Sequence, residues 1–214
     1  MISPAAPDRP IVVLGIGNLL WADEGFGVRC VEALQARHEF GPEVELIDGG
    51  TQGLYLIQHV QAARCLLIFD AIDYGLSPGT LKQVANDEVP RFLGAKKMSL
   101  HQTGFQEVLL LAQLTGKYPD QVLLIGCQPQ ELDDYGGSLR PVVREALDTA
   151  LELGLAALAA WGAKATPRTR PLTPREAIGF APLDLSAYEA GRPAPERACR
   201  LGDERFFPAA SAGI

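Results

Sequence analysis

Short runs of apolar residues, separated by segments with helical periodicity, most constrain what this chain can fold into. The runs cover residues 11–14, 44–47, 65–69 and 121–126, with a weaker run, typical of an edge strand, at 80–84. Continuous apolar runs are typical of parallel strands that are covered on both faces. Helical spacing of apolar residues covers 24–37, 54–63, 103–115 and 140–161. The alternation predicts an α/β fold, a three-layer sandwich with a mainly parallel twisted sheet and helices on both faces.

The composition and periodicity of the sequence change near residue 165. Seven of the 16 prolines and seven arginines lie in residues 165–214, which show no clear periodicity. We therefore predict a domain at 1–164 and a Pro/Arg-rich C-terminal extension at 165–214.

The charge of the chain excludes some partners. The net charge is -7, and residues 1–164 hold 12 basic and 20 acidic residues. This balance disfavours nucleic acid and anionic membrane surfaces, which both select a basic patch. The longest apolar segment, 153–163, is about half of what a bilayer span requires. We expect no membrane insertion.

The four cysteines and the first ten residues indicate the cellular compartment in which the protein is expected. The cysteines lie far apart and form no CxxC pair, so neither a zinc ribbon nor a thioredoxin-type redox motif is indicated. Cys65 and Cys127 lie in apolar runs and are expected to be buried thiols. Residues 1–10 lack the basic start and the apolar stretch of a signal peptide. A cytoplasmic protein is the simplest expectation.

A glycine-rich loop, Gly15-Ile16-Gly17-Asn18, follows the first predicted strand. A dinucleotide-binding loop would continue with glycine at position 20, which is Leu20 here, and no phosphate-binding lysine follows. The glycines predict a tight turn that allows a close approach to the backbone and shapes a cleft. Nucleotide binding is the less favoured alternative.

Several carboxylates are expected at the carboxyl ends of the strands, where open α/β sheets bind ligands. Asp48 and Asp70 end the second and third runs, and Asp23 and Glu24 precede the first helix. Each has a structural alternative: an N-cap for Asp23, a helix-dipole partner for Glu24 and an Asx turn for Asp48. Asp70 follows a fully apolar run, and burying it without a partner would be costly, which favours a functional role.

His101 precedes the predicted helix at 103–115. A single histidine in a loop is more often a capping or solvated residue. Together with two carboxylates it would give an oxygen, oxygen and nitrogen ligand set that suits a divalent metal and leaves coordination positions open. No HExxH motif is present.

The chain resembles the maturation endopeptidases of nickel-iron hydrogenases. Five blocks carry the resemblance: Leu14-Gly15-Ile16-Gly17-Asn18, Ala22-Asp23-Glu24-Gly25-Phe26-Gly27-Val28-Arg29, Asp48-Gly49-Gly50-Thr51, Asp70-Ala71-Ile72 and Ser99-Leu100-His101-Gln102. Enzymes of this family remove a C-terminal peptide from the hydrogenase large subunit after nickel insertion. The resemblance implies Glu24, Asp70 and His101 as metal-contacting residues. The C-terminal extension resembles that of relatives that serve uptake hydrogenases.

Two chemistries follow from this expectation. In the first, nickel supplied by the large-subunit precursor is bound by the three residues, and Asp48 or Asp23 handles a proton. In the second, Asp70 and another acid share a proton as in aspartic proteases. The predicted catalytic residues are accordingly Asp70, Asp48 and Asp23.

A non-catalytic, metal-sensing chaperone of the large subunit would use the same three metal-contacting residues, and it remains an alternative to the protease. In either case the partner is the large-subunit precursor. We expect the protein to act on it as a monomer.

Overall fold

The computed structural model describes residues 10–93 and 100–192, whose strands form two sheets. The strands are β1 (Ile11–Ile16), β2 (His38–Phe40), β3 (Val44–Gly50), β4 (Cys65–Ala71), β5 (Leu81–Ala85), β6 (Gln121–Cys127) and β7 (Ala165–Pro167). The main sheet has the order β3-β1-β4-β6-β5, in which only the edge strand β5 is antiparallel to its neighbour. β2 and β7 form a separate antiparallel pair.

Helices cover both faces of the main sheet. They are α1 (Phe26–Arg37), α2 (Ile57–Ala62), α3 (Glu88–Leu93), α4 (Leu100–Leu114), α5 (Pro141–Ala160) and α6 (Leu185–Gly191). One hydrophobic cluster joins the sheet to α1 and α5, and a second joins its other face to α2, α3 and α4. The predicted three-layer α/β sandwich is confirmed.

The central strands are buried on both sides, which is why their sequences are continuously apolar. All seven residues of β4 are buried. Leu67 and Phe69 face the α1/α5 layer, whereas Leu66 and Ile68 face the α2/α4 layer. The predicted buried thiol of Cys65 is confirmed, and so is that of Cys127 at the end of β6.

The sheet has a topological switch point between β1 and β4. From β1 the chain passes through α1 to β3 on one side, and from β4 it passes through β5, α3 and α4 to β6 on the other. At such a point the connections diverge and leave a crevice beyond the carboxyl ends of the two strands, which is where open α/β sheets bind ligands.

Two glycines allow α1 to approach the sheet closely. A side chain at Gly27 would overlap the carbonyl oxygens of Ile16 and Phe69, and one at Gly15 would overlap the carbonyl oxygen of Gly27. The close approach predicted from the glycine loop is therefore made by the helix of the chain itself.

The first part of the extension packs on the domain. β7 pairs with β2, and Arg168 donates hydrogen bonds to the carbonyl oxygens of Gln35 and His38 and to the carboxylate of Glu39. The sequence predicted no element in residues 165–192, because α6 and β7 are short and are stabilised by contacts with distant residues. None of the helices in the described part of the chain could span a bilayer.

Candidate active site

Glu24 lies in the 3-10 turn Ala22–Gly25, between β1 and α1. The turn packs against β4, and the Glu24 carbonyl oxygen accepts a hydrogen bond of 3.2 Å from the Asn18 N–H. Gly17, with a φ of 137°, passes so close to this carbonyl group that a side chain there would overlap it. The backbone thus places Glu24 at the switch-point crevice.

Asp70 is the penultimate residue of β4 and is only 2% exposed. Its position in the strand matches that of Leu66 and Ile68, so by the two-residue period it points towards the α2/α4 face. Asp70 pairs in register with Gly126 of β6, and a side chain at Gly126 would overlap the hydroxyl group of Tyr74. Burial, and secondarily the Asp70 charge, raise the pKa of Tyr74, so its phenol remains protonated beside this carboxylate.

His101 is the second residue of α4, and its side chain lies outside the described part of the chain. Gly104 in the same helix packs against Gly53, in the turn that follows β3. The start of α4 therefore lies at the carboxyl edge of the sheet, on the face towards which Asp70 points. Among the described side chains no three His, Cys, Asp or Glu residues cluster as a metal site.

Asp48 lies at the same edge as Asp70, but on the opposite face. It pairs in register with Gly15 of β1. It lies two residues after Leu46 and four after Val44 in β3, so its side chain is on the same face of the sheet as theirs, in the α1/α5 layer. The Gly50 N–H donates to its carboxylate, as the Asx-turn alternative requires. Burial raises the pKa of Asp48, against the lowering effects of that hydrogen bond and of the Arg29 charge. The structure does not bring Asp48 and Asp70 together as an acid pair.

Asp23 is fully buried and binds backbone N–H groups from a distant segment. One oxygen accepts hydrogen bonds from Gln130 and Glu131, at 2.8 and 2.9 Å, and the other accepts one of 2.7 Å from Arg140. The prediction of an N-cap is wrong, because the residue preceding α1 is Gly25 and no side chain caps the helix. These contacts favour a structural role for Asp23 over proton transfer.

Arg29 and Gln128 are buried polar residues near the site that sequence reasoning missed. Arg29 is 4% exposed and donates hydrogen bonds of 2.7 Å to Glu32 and to the carbonyl oxygen of Leu183. The side-chain amide oxygen of Gln128 accepts hydrogen bonds from the backbone N–H groups of Tyr74 and Leu76. Two features of the sequence could have indicated them. Arg29 is a charged residue three positions after Phe26, on the apolar face of α1, and Gln128 is a polar residue immediately after β6.

The chain is similar to several known proteins. Residues 28–157 match the family model of the hydrogenase maturation protease HycI. The chain is 67% identical over 198 residues to the hydrogenase expression/formation protein HoxM of Cupriavidus necator, covering 92% of this chain and 98% of that protein. It is 42% identical over 159 residues to the hydrogenase 2 maturation protease of Escherichia coli, covering 74% and 96% respectively.

A solved structure shares the fold. The hydrogenase maturating endopeptidase HybD of Escherichia coli superimposes with a TM-score of 0.72 at 40% sequence identity. The match covers 99% of that chain and 75% of this one. The open α/β sheet and this level of identity to endopeptidases make the chain a member of the hydrogenase maturation protease family.

Proposed function

We propose that this endopeptidase removes the C-terminal peptide from the large subunit of a nickel-iron hydrogenase after nickel has been inserted. Family membership supports the reaction class, and the names of the relatives support a hydrogenase precursor as the partner. The observation that carries the proposal is that the turn holding Glu24 packs against β4, the strand that holds Asp70, while α4 begins at the carboxyl edge of the same sheet.

The metal in this proposal belongs to the substrate. Glu24, Asp70 and His101 would supply two oxygen ligands and one nitrogen ligand, an incomplete set for nickel. An incomplete set binds free metal weakly and binds well only when the partner supplies the remaining ligands. The three residues would therefore detect nickel in the precursor and hold the scissile peptide in place.

Asp70 is the acid that we assign to proton transfer. Asp48 points to the other face, and both oxygens of Asp23 accept backbone hydrogen bonds, so neither is placed to share a proton with Asp70. In the proposed step, Asp70 accepts a proton from the water that attacks the scissile carbonyl carbon, and the proton then passes to the departing amine. The protonated Tyr74 phenol is a hydrogen-bond donor beside this carboxylate.

The test compares nickel-loaded and nickel-free precursor by the mass of the released peptide. Wild-type protein should cut only the loaded form. His101→Ala should process it at least about 100-fold more slowly. His59→Ala is the matched control, since His59 lies on α2 beside Glu45 and should leave processing unchanged.

Each other outcome would change the proposal. Full processing by His101→Ala would contradict nickel detection by this residue. Equal cleavage of nickel-free precursor would favour the aspartic-type chemistry. Binding of precursor without release of a peptide would favour the chaperone. Action as a monomer in the cytoplasm stays a prediction, which size-exclusion chromatography and cell fractionation would check.

A further inference from the structure

Residues 129–140, which we call the rim loop, begin at the carboxyl end of β6, on the edge of the sheet where the crevice lies. This loop connects β6 to α5 and encloses the buried Asp23 carboxylate through its own N–H groups. Its Tyr135 packs edge-to-face on Trp21, with ring centroids 5.3 Å apart. The Gly136 N–H donates to the carbonyl oxygen of Leu20. The rim loop is thus bound to the short segment that ends in Glu24.

The C-terminal extension binds the same loop from outside. Arg192 donates to both oxygens of Asp134, at 2.9 and 3.0 Å, and this aspartate is only 7% exposed. Glu189 accepts a hydrogen bond of 2.7 Å from the Ser138 hydroxyl group and also pairs with Arg144. These contacts fix the middle and the end of the rim loop.

The extension is also anchored to α1. The buried Arg29 guanidinium donates to the carbonyl oxygen of Leu183, two residues before α6 begins, and lies 6.0 Å from the ring centroid of Tyr188. The helix therefore has a fixed support from which it holds the rim loop. A continuous series of contacts runs from α1 through α6 and the rim loop to Asp23, which precedes Glu24.

We propose that the extension orients Glu24 through the rim loop, with Arg192 and Glu189 as positioning residues; the consequence for processing rests on the proposed function. The HybD match supports a separate role for the extension. It covers 99% of that chain but leaves a quarter of this one without a counterpart, about the share that residues 165–214 represent. A relative can thus have the protease fold without a segment of this length.

Trp21 reports on the rim loop directly. The other tryptophan, Trp161, lies at the far end of α5, where its ring N–H donates to Gln121 at the start of β6. In a Trp161→Phe background, Arg192→Ala combined with Glu189→Gln should raise acrylamide quenching of Trp21 about twofold. Arg170→Ala is the matched control, because it breaks an ion pair within the extension, with Glu176, and should leave the quenching unchanged.

The second readout is the kinetics of processing of nickel-loaded precursor. The double variant should lower kcat by about 10- to 100-fold with little change in KM, since a displaced ligand weakens catalysis more than docking. Arg192→Lys in place of Arg192→Ala in the double variant should restore part of the lost kcat. The kcat and KM of Arg170→Ala should match those of the wild type. A rise in KM alone would overturn the inference and make the extension a docking surface.

Different results would contradict the proposed function and the inference about the extension. If Trp21 quenching is unchanged in the double variant, the extension does not hold the rim loop, whatever the protein processes. If wild-type protein releases no peptide while quenching rises as expected, the proposed function fails and the structural link stands.

Discussion

At the scale of single residues, the direction of a side chain separates acids that look alike in sequence. Asp48 and Asp70 both lie near the ends of apolar strands, yet they point to opposite faces of the sheet. The Asp48 side chain is on the same face as Leu46, and the Asp70 side chain is on the same face as Ile68. Asp48 is close to the Arg29 charge, whereas Asp70 is close to Tyr74. Their chemical roles should differ accordingly.

Asparagine substitutions test this difference. Asp70→Asn should lower kcat/KM for nickel-loaded precursor by about 100- to 10,000-fold, because it removes both a ligand and the proton acceptor. Asp48→Asn should lower it by less than about tenfold, since an asparagine side chain can still accept the Gly50 N–H in an Asx turn. Losses of equal size would show that both acids act in the same step.

The Asp134 ion pairs should make stability depend on pH. Burial raises the pKa of Asp134, but hydrogen bonds and charges from Arg192 and Arg140 outweigh it and hold that pKa below its usual range. A carboxyl group with a lowered folded-state pKa stabilises the fold above its unfolded-state pKa of about 3.9, and this contribution disappears as the pH falls through the folded value. Urea unfolding should therefore show a difference between wild type and Asp134→Asn that is largest near neutral pH and shrinks below about pH 4. A difference that is constant with pH would contradict the ion pairs.

At the scale of elements, the contact of α1 with the sheet constrains where Glu24 can lie. The helix starts one residue after the 3-10 turn that holds Glu24, and it approaches β1 and β4 through Gly27. Because the contact is between backbones, it leaves no room for even a methyl group. The helix that follows the turn is thus one constraint on the position of the turn.

Gly27→Ala should be strongly destabilising. The added methyl group would overlap the carbonyl oxygens of Ile16 and Phe69, which cannot move without displacing central strands. We expect a loss of about 3 kcal/mol in the free energy of unfolding, measured by urea denaturation. Gly191→Ala is the control, because a side chain there meets no atom within 4 Å, and it should be neutral or stabilising. Equal stability of the two variants would contradict the close approach.

Sequence patterns predicted the strands and helices whose own residues show an apolar run or a helical periodicity. The apolar runs of β1, β4 and β6 and the long periodic segment of α5 all correspond to elements of the structure. The three-residue strands β2 and β7 were missed because each depends on a partner more than 120 residues away. The structural role of Asp23 was missed because an N-cap and an acceptor for a distant loop look the same in sequence. The opposite orientation of Asp48 and Asp70 could be derived only once strand register was known.

At the scale of the whole molecule, the extension is joined to the domain across the predicted boundary at residue 164. Arg168 binds the end of α1 and the strand β2, and the Leu183 carbonyl group accepts a hydrogen bond from Arg29. Charge-assisted hydrogen bonds of this kind are among the stronger ones in proteins. Residues 165–192 therefore contribute to the stability of the fold.

Removing residues 165–214 should leave a folded but weaker domain. The two hydrophobic clusters consist almost entirely of residues before 165, so far-UV circular dichroism should still show an α/β protein. Loss of the Arg29 and Arg168 hydrogen bonds should lower the free energy of unfolding by several kcal/mol, on the order of 1.5–3 for each hydrogen bond to a charged group. A truncated chain as stable as the full one would show that the extension only rests on the domain.

The position of the crevice beyond the strand ends has a consequence for how this protein can evolve. It is bordered by turns, helix starts and a loop, whereas the residues of the two hydrophobic clusters lie between the layers. Substitutions in exposed parts of such connections usually change stability by about 0.5 kcal/mol or less. Selectivity for a different precursor can therefore be acquired through these connections without the loss of stability that often accompanies a new activity.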